Sequence, residues 1–285
     1  MKFRPLGFGL LFGVLLLSLW KFLLSFQQEV DAAELRSLSN FQILHLPPKI
    51  TPLWRLELQE ALEGAPEVKL LDPSSLTAAR KLLTSLPWVD PVSIQVERHL
   101  PDGIRMEFQP RKPRLLAHWR GKYVAISRKG ITIPKGLPEE AYQGIAVVPL
   151  DDDVQLPPPG RRVAHPLIQE ALACADEYYA IRRESGLDLI GMERMPGYPK
   201  STPGVPPALS FFTRDGRRIL WGRAEKTKGP LRIPLEQKAR RLHVVLTDYP
   251  KLEGVSQVHL HTPLVRLFSE AGERLPLPSM PGLAE

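Results

Sequence analysis

The chain has 285 residues, 43% of them hydrophobic and 24% charged, which supplies material for one or two folded domains and excludes wholesale disorder. Thirty prolines predict short helices and many turns, and a net charge of +7, spread along the chain, suits an anionic surface or an acidic partner. The single cysteine, Cys174, excludes an intramolecular disulfide and a Cys-based metal cluster.

Residues 6–26, from Leu6 to Phe26, are almost uninterruptedly apolar. As a helix rising about 1.5 Å per residue they match the roughly 30 Å hydrocarbon core of a bilayer. Lys2 and Arg4 precede the stretch, whereas Gln27, Gln28, Glu29 and Asp31 follow it. The positive-inside bias predicts a cytoplasmic tail at 1–5, a transmembrane helix at 6–26 and export of everything after it. Lys21, beside Trp20, lies near the outer end and can reach the headgroups. A cleaved signal peptide is the competing reading, but Val30-Asp31-Ala32 fits a cleavage site loosely. Gly9 and Gly13 form a GxxxG spacing of the kind that joins membrane helices, though such a spacing also arises by chance.

Residues 27–40 read as a polar connector, and Phe41, Ile43 and Leu44 as a short strand. Thr51-Pro52 and Asp72-Pro73 are helix starts, an N-cap followed by proline at the first helical position. The first helix is expected to turn Leu53, Leu56, Ala61 and Leu62 inward, the second Leu76, Ala79, Leu82, Leu83 and Leu86. The period then changes to two: Val92, Ile94 and Val96, a turn at 100–103, then Ile104, Met106 and Phe108. Residues 41–113 therefore predict a strand–helix–helix–strand–strand unit that buries two helices on one side of a small sheet.

Residues 114–268 predict a β-rich domain of mixed strands with two helices. Strands are expected at 115–119, 123–127 and 131–133, then a proline-rich loop over 134–165 containing Asp151, Asp152 and Asp153. A helix from Pro166 to about residue 183 places Leu167, Ala171, Cys174, Tyr178 and Ile181 on one face, which makes Cys174 a small core residue. A strand candidate at 187–192, a second proline-rich loop at 195–207 and a hairpin at 209–221 follow. A helix at 235–246 carries a basic face of Lys238, Arg240 and Arg241. Strands at 255–261 and 264–268 close the domain, and 269–285 reads as a disordered tail. The fold class is thus α+β.

No phosphate loop, nucleophile elbow or HExxH motif occurs. His259 and His261 would share a strand face and are the one pair that could begin a metal site, without an obvious third ligand. Arg217, Arg218, Arg223, Lys226, Lys228 and Arg232 surround Trp221 as a nucleic-acid stacking platform would, but an exported segment rarely meets nucleic acid.

The order of elements resembles the FtsQ/DivIB family of bacterial division proteins. The most specific stretch is 83–119, where Leu86, Pro87, Trp88, Val89, Arg98, Pro101, Asp102, Pro113, Ala117 and Trp119 are similar to the family's pattern. Residues 123–130, 219–222, 235–246 and 258–261 resemble later elements, whereas His259 and His261 depart from the family's closing strand and 134–208 aligns poorly. The resemblance implies a POTRA domain at 41–113, associated with recruitment, and a non-enzymatic scaffold at the division septum of the inner membrane. It implies pairing of the last strand, here Leu264, Val265, Arg266, Leu267 and Phe268, with the coiled-coil partner FtsB in complex with FtsL. A terminal strand with a free edge offers unpaired N–H and C=O groups to such a partner. Membrane lipid and division proteins are the expected partners; no cofactor, metal, nucleic acid or small-molecule substrate is expected. The rivals are a POTRA-type export component that binds passenger chains and a membrane-anchored periplasmic enzyme using the histidine pair.

Overall fold

A computed structural model describes residues 14–25, 46–47, 50–68, 72–99, 103–198, 206–227 and 233–277. The chain is a mixed α+β protein that divides into two compact units, 1–109 and 110–285. The division falls just ahead of the expected one at 113, because Pro113 already pairs with Ser127 in the second unit's sheet.

Residues 14–25 are helical and exposed, with Leu15, Leu17, Trp20, Phe22 and Leu23 all turned outward. Leu6 and Phe26, the ends of the expected span, lie outside the described residues, as do the tail at 1–5, the connector at 27–40 and the strand at 41–44. Among the described residues no helix is long and apolar enough to cross a membrane.

In the first unit, α1 (Pro52–Glu63) begins where the Thr51 side chain accepts from the Trp54 N–H, and ends at Gly64. Helix α2 (Pro73–Ser85) begins where Asp72 accepts from the Ser74 N–H at 2.8 Å. Strands β1 (Gln95–His99) and β2 (Gly103–Glu107) form the predicted antiparallel hairpin. Trp54, Leu58 and Leu62 face the core of α1, whereas Leu53 and Leu56 are exposed, contrary to the expected face. The bulk of Trp54 decides the rotation: its ring stacks on Trp88 at 5.0 Å, and Trp88 packs on Phe108 at 5.8 Å. The strand expected from Val92 begins later. Pro91 opens a single 3₁₀ turn, Pro91–Ser93, capped by Asp90, and Val92 points outward.

Among the described residues the second unit is a ten-stranded sheet with two helices against one face. In chain order its strands are β3 (Pro113–Trp119), β4 (Lys122–Ser127), β5 (Thr132–Ile133), β6 (Ala146–Pro149), β7 (Leu189–Arg194), β8 (Leu209–Thr213), β9 (Arg218–Gly222), β10 (Gln257–His259), β11 (Arg266–Phe268) and β12 (Arg274–Leu275). Their spatial order is β12-β11-β10-β9-β8-β7-β6-β3-β4-β5. Helix α3 (Pro166–Ser185) links parallel strands β6 and β7, and α4 (Leu235–Asp248) links parallel strands β9 and β10. Each is a crossover, the connection that parallel neighbours require.

Two expectations fail here. The loop expected over 134–165 contains β6, which lies between β3 and β7 in the middle of the sheet. The tail expected over 269–285 contains β12, which pairs Leu275 with Leu267 and Arg274 with Phe268. Residues 278–285 lie outside the described residues. At the β7 bulge, Gly191 is required: a Cβ there would collide with the Val147 carbonyl and the Phe212 ring.

Candidate functional site

The C-terminal edge of the sheet is built from β10, β11 and β12. Val258, Leu267 and the half-buried Leu275 point into the core under α4, which fixes the register of all three strands. The turn after β11 is closed by Ser269: its N–H donates to the Glu273 carbonyl at 2.9 Å and its hydroxyl accepts from the Glu273 N–H at 3.1 Å. Gly272 supplies the left-handed residue of that turn at φ 77°. Ser256 ties the turn to β10 by donating from its hydroxyl to the Ser269 carbonyl at 2.6 Å. Pro276 follows β12, and its carbonyl accepts from the Tyr249 hydroxyl at 3.1 Å.

The approach to this edge is held by Arg241. The guanidinium is almost completely buried and donates to the Thr262 carbonyl at 2.8 Å and the Pro263 carbonyl at 2.7 Å, in the segment that joins β10 to β11. Burial lowers its pKa.

The expected edge, Leu264 to Phe268, is only partly available. Leu264 lies in a bend and is exposed, and Val265 is buried. Leu267 and Phe268 are paired on both sides, with β10 and with β12, because the turn at 269–273 returns the chain against them. Among the described residues the outermost strand is therefore β12, not β11. The opposite edge differs. There β5 is covered by its own chain: the Thr132 N–H donates to the Arg161 carbonyl, the Gly160 N–H to the Thr132 carbonyl, and Ile131 bridges Arg162.

The histidine pair lies beside β11. His259 packs on the Phe268 ring at 4.9 Å and on His261 at 5.5 Å, and His261 Nδ1 lies 3.3 Å from the Leu220 carbonyl. Burial, helped by His261 and by Arg266, pulls the His259 pKa down to about 4, and burial, against the Leu220 hydrogen bond and helped by Arg266, lowers that of His261. Among the described residues no group of three or more His, Cys, Asp or Glu side chains is placed to hold a metal ion.

No family model matches the chain, and no curated protein matches it.

A second constellation, missed from the sequence, lies where α3 and α4 meet β9. Glu177 accepts from Trp221 Nε1 at 2.6 Å, from Lys238 Nζ at 3.4 Å and from the Glu225 N–H at 2.5 Å. Glu170 accepts from the Ala224 N–H at 2.8 Å and from the Thr227 hydroxyl at 2.9 Å. Lys238 also donates to the Arg223 carbonyl at 2.8 Å and lies 4.6 Å above the Trp221 ring. Two carboxylates and one ammonium thus fix the loop after β9 by its main-chain groups. Burial raises the Glu170 carboxyl above its ordinary range and raises the Cys174 thiol well above its own. The buried Trp221 is no stacking platform, and Arg223 donates instead to the Pro206 carbonyl and the Tyr198 hydroxyl. Of the expected basic face, Arg240 is exposed, whereas Lys238 and Arg241 share helical spacing with Leu242 and Val245, all four buried. That spacing was the available signal.

Of the positions 86–102 that carry the resemblance noted in the sequence, Leu86, Trp88 and Val89 are buried, Pro87 is half-buried and Arg98 is exposed on β1. Pro101 and Asp102 lie outside the described residues.

Proposed function

We propose that this chain is a membrane-anchored scaffold of the bacterial division machinery, of the FtsQ/DivIB type, which captures a partner by strand addition at β12. The observation that carries the reading is the contrast between the two sheet edges. Residues 160–162 cover β5, whereas among the described residues β12 has a strand neighbour on one side only. An exposed edge held rigidly by Arg241, Ser256 and Ser269 is pre-organised for an incoming strand. The anchor reading rests on the apolar run 6–26 and is supported by the outward-facing apolar side chains of helix 14–25. The recruiting role of the first unit rests on the resemblance of 83–119.

Two experiments test the proposal. A fluorescent fusion of the full chain should concentrate at the septum of dividing cells; a uniform envelope signal overturns the division role. Leu275→Pro should abolish co-purification of an FtsB-like partner while a melting curve shows the fold retained, because edge strands tolerate proline better than central ones. Undiminished capture overturns the edge assignment. Leu267 is unsuited to that test, being buried and paired on both sides.

A further inference from the structure

Helix α1 carries two apolar rows. Trp54, Leu58 and Leu62, four residues apart, fill the core of the first unit, and the stacking of Trp54 on Trp88 sets the rotation of the helix. That rotation turns Leu53 and Leu56 to the far side, where they are 49% and 53% exposed. Three residues apart, they are neighbours on one face. The same face runs on through Glu60 and Glu63, both exposed and each two turns from one of the leucines. Among the described residues neither carboxylate meets a cation: Glu63 accepts from Gln59 Nε2 at 2.9 Å, and the Glu60 side chain has no partner. Glu57, on the flank, already accepts from Trp88 Nε1. Arg55, the one cation of the helix, lies about 100° round the axis from Leu56 and about 140° from Glu60.

An apolar pair beside two uncompensated carboxylates narrows what covers it. An anionic lipid surface is repelled by Glu60 and Glu63. A second copy meeting α1 through the same face sets these acids against their own counterparts. The segment leading in from the apolar run, 27–40, carries Glu29, Asp31 and Glu34 against Arg36 and is acidic as well. We propose that the outward face of α1 docks an amphipathic basic helix of a partner protein. Its apolar side chains lie across Leu53 and Leu56, and its lysines or arginines meet Glu60 and Glu63. The apolar contact supplies the hold, and the opposed charges select the partner and fix its register along the helix. The contact belongs to the first unit and does not rest on strand capture at β12.

The test titrates the full chain, in nanodiscs of zwitterionic lipid, with a labelled amphipathic helical peptide of alanine, leucine and lysine, and with a control in which glutamates replace the lysines. Binding to empty nanodiscs is subtracted. The basic peptide should bind at least about tenfold more tightly than the control, and Leu56→Ser and Glu60→Lys should each weaken it by about tenfold. Both positions are exposed, so the melting temperature should hold in both variants. Leu275→Pro should leave the affinity unchanged. Hydroxyl-radical footprinting should find Leu53 and Leu56 oxidised in the free chain and protected by the peptide. Absence of saturable binding, equal binding of the two peptides, undiminished binding in either α1 variant, or a loss in Leu275→Pro overturns the proposal. Protection of the two leucines before peptide is added overturns it as well. Seen in zwitterionic nanodiscs, it gives the face to residues 27–40; seen in anionic nanodiscs alone, to lipid; seen with a sedimenting dimer that Leu56→Ser disperses, to a second copy.

Discussion

The two units hold themselves together by different means. The first packs Trp54, Trp88, Phe108, Ile104 and Met106 into an almost wholly apolar centre, with Trp88 Nε1 donating to Glu57 at 2.9 Å as its polar link across the core. The second buries Glu170, Glu177, Arg223, Lys238 and Arg241 among its apolar side chains. Apolar packing depends on volume and tolerates substitution of similar size. Buried charge depends on named partners and fails when one is removed. The first unit is therefore specified by shape, the second by shape and by a set of obligatory pairings.

The largest expected effect follows from separating one such pairing. Lys238→Met takes the ammonium from the buried Glu177 carboxylate, which keeps its Trp221 and Glu225 N–H donors, and should cost about 3–5 kcal/mol in urea unfolding. Adding Glu177→Gln should recover much of that loss, which a purely packing-based core would not do. Leu83→Ala in the first unit removes volume without stranding a charge and should cost about 2–5 kcal/mol, according to how far the site collapses. No second substitution of charge should rescue it. Arg241→Leu leaves the carbonyls of Thr262 and Pro263 without their donors and should cost about 1.5–3 kcal/mol. It should also raise hydrogen exchange in β11 and β12 before the rest of the sheet, and uniform exchange would refute the positioning role.

The smallest effect is one of pH. His259 has its pKa lowered to about 4 from 6.5, so between those values the unfolded chain binds the proton and the folded chain does not. The contribution of His259 is complete above pH 6.5 and is lost as the pH falls towards 4. The melting temperature should drop across that window, and His259→Gln should reduce the drop. An unchanged profile in the variant would remove His259 as its source.

Much of this architecture was legible in the sequence. Thr51-Pro52 and Asp72-Pro73 announce α1 and α2, and the alternation through Ile104, Met106 and Phe108 announces β2, because these signals depend on neighbouring residues alone. Strand β6 was not legible: 145–150 is a short apolar run among prolines, and a parallel central strand has no alternation to display. The expected inward face of α1 holds at Leu62 and fails at Leu53 and Leu56, which match helical spacing as well as Trp54 does, and only the distant Trp88 selects between them. At the candidate site the last strand pair was half legible. Residues 264–268 read as a strand, but nothing local shows that Ser269, Gly272 and Glu273 reverse the chain and lay β12 against it. Lys238 and Arg241 were hidden by the ordinary association of cations with solvent.

The brevity of β12 has a further consequence. Two residues followed by Pro276 offer too few main-chain groups for one copy to zip against another and then a third. Copies crowded together can thus keep a border that has no further strand among the described residues without polymerising along it. Any strand that does bind must bring most of its hold through its side chains, so the shortness of the border works as a filter on which chains can stay.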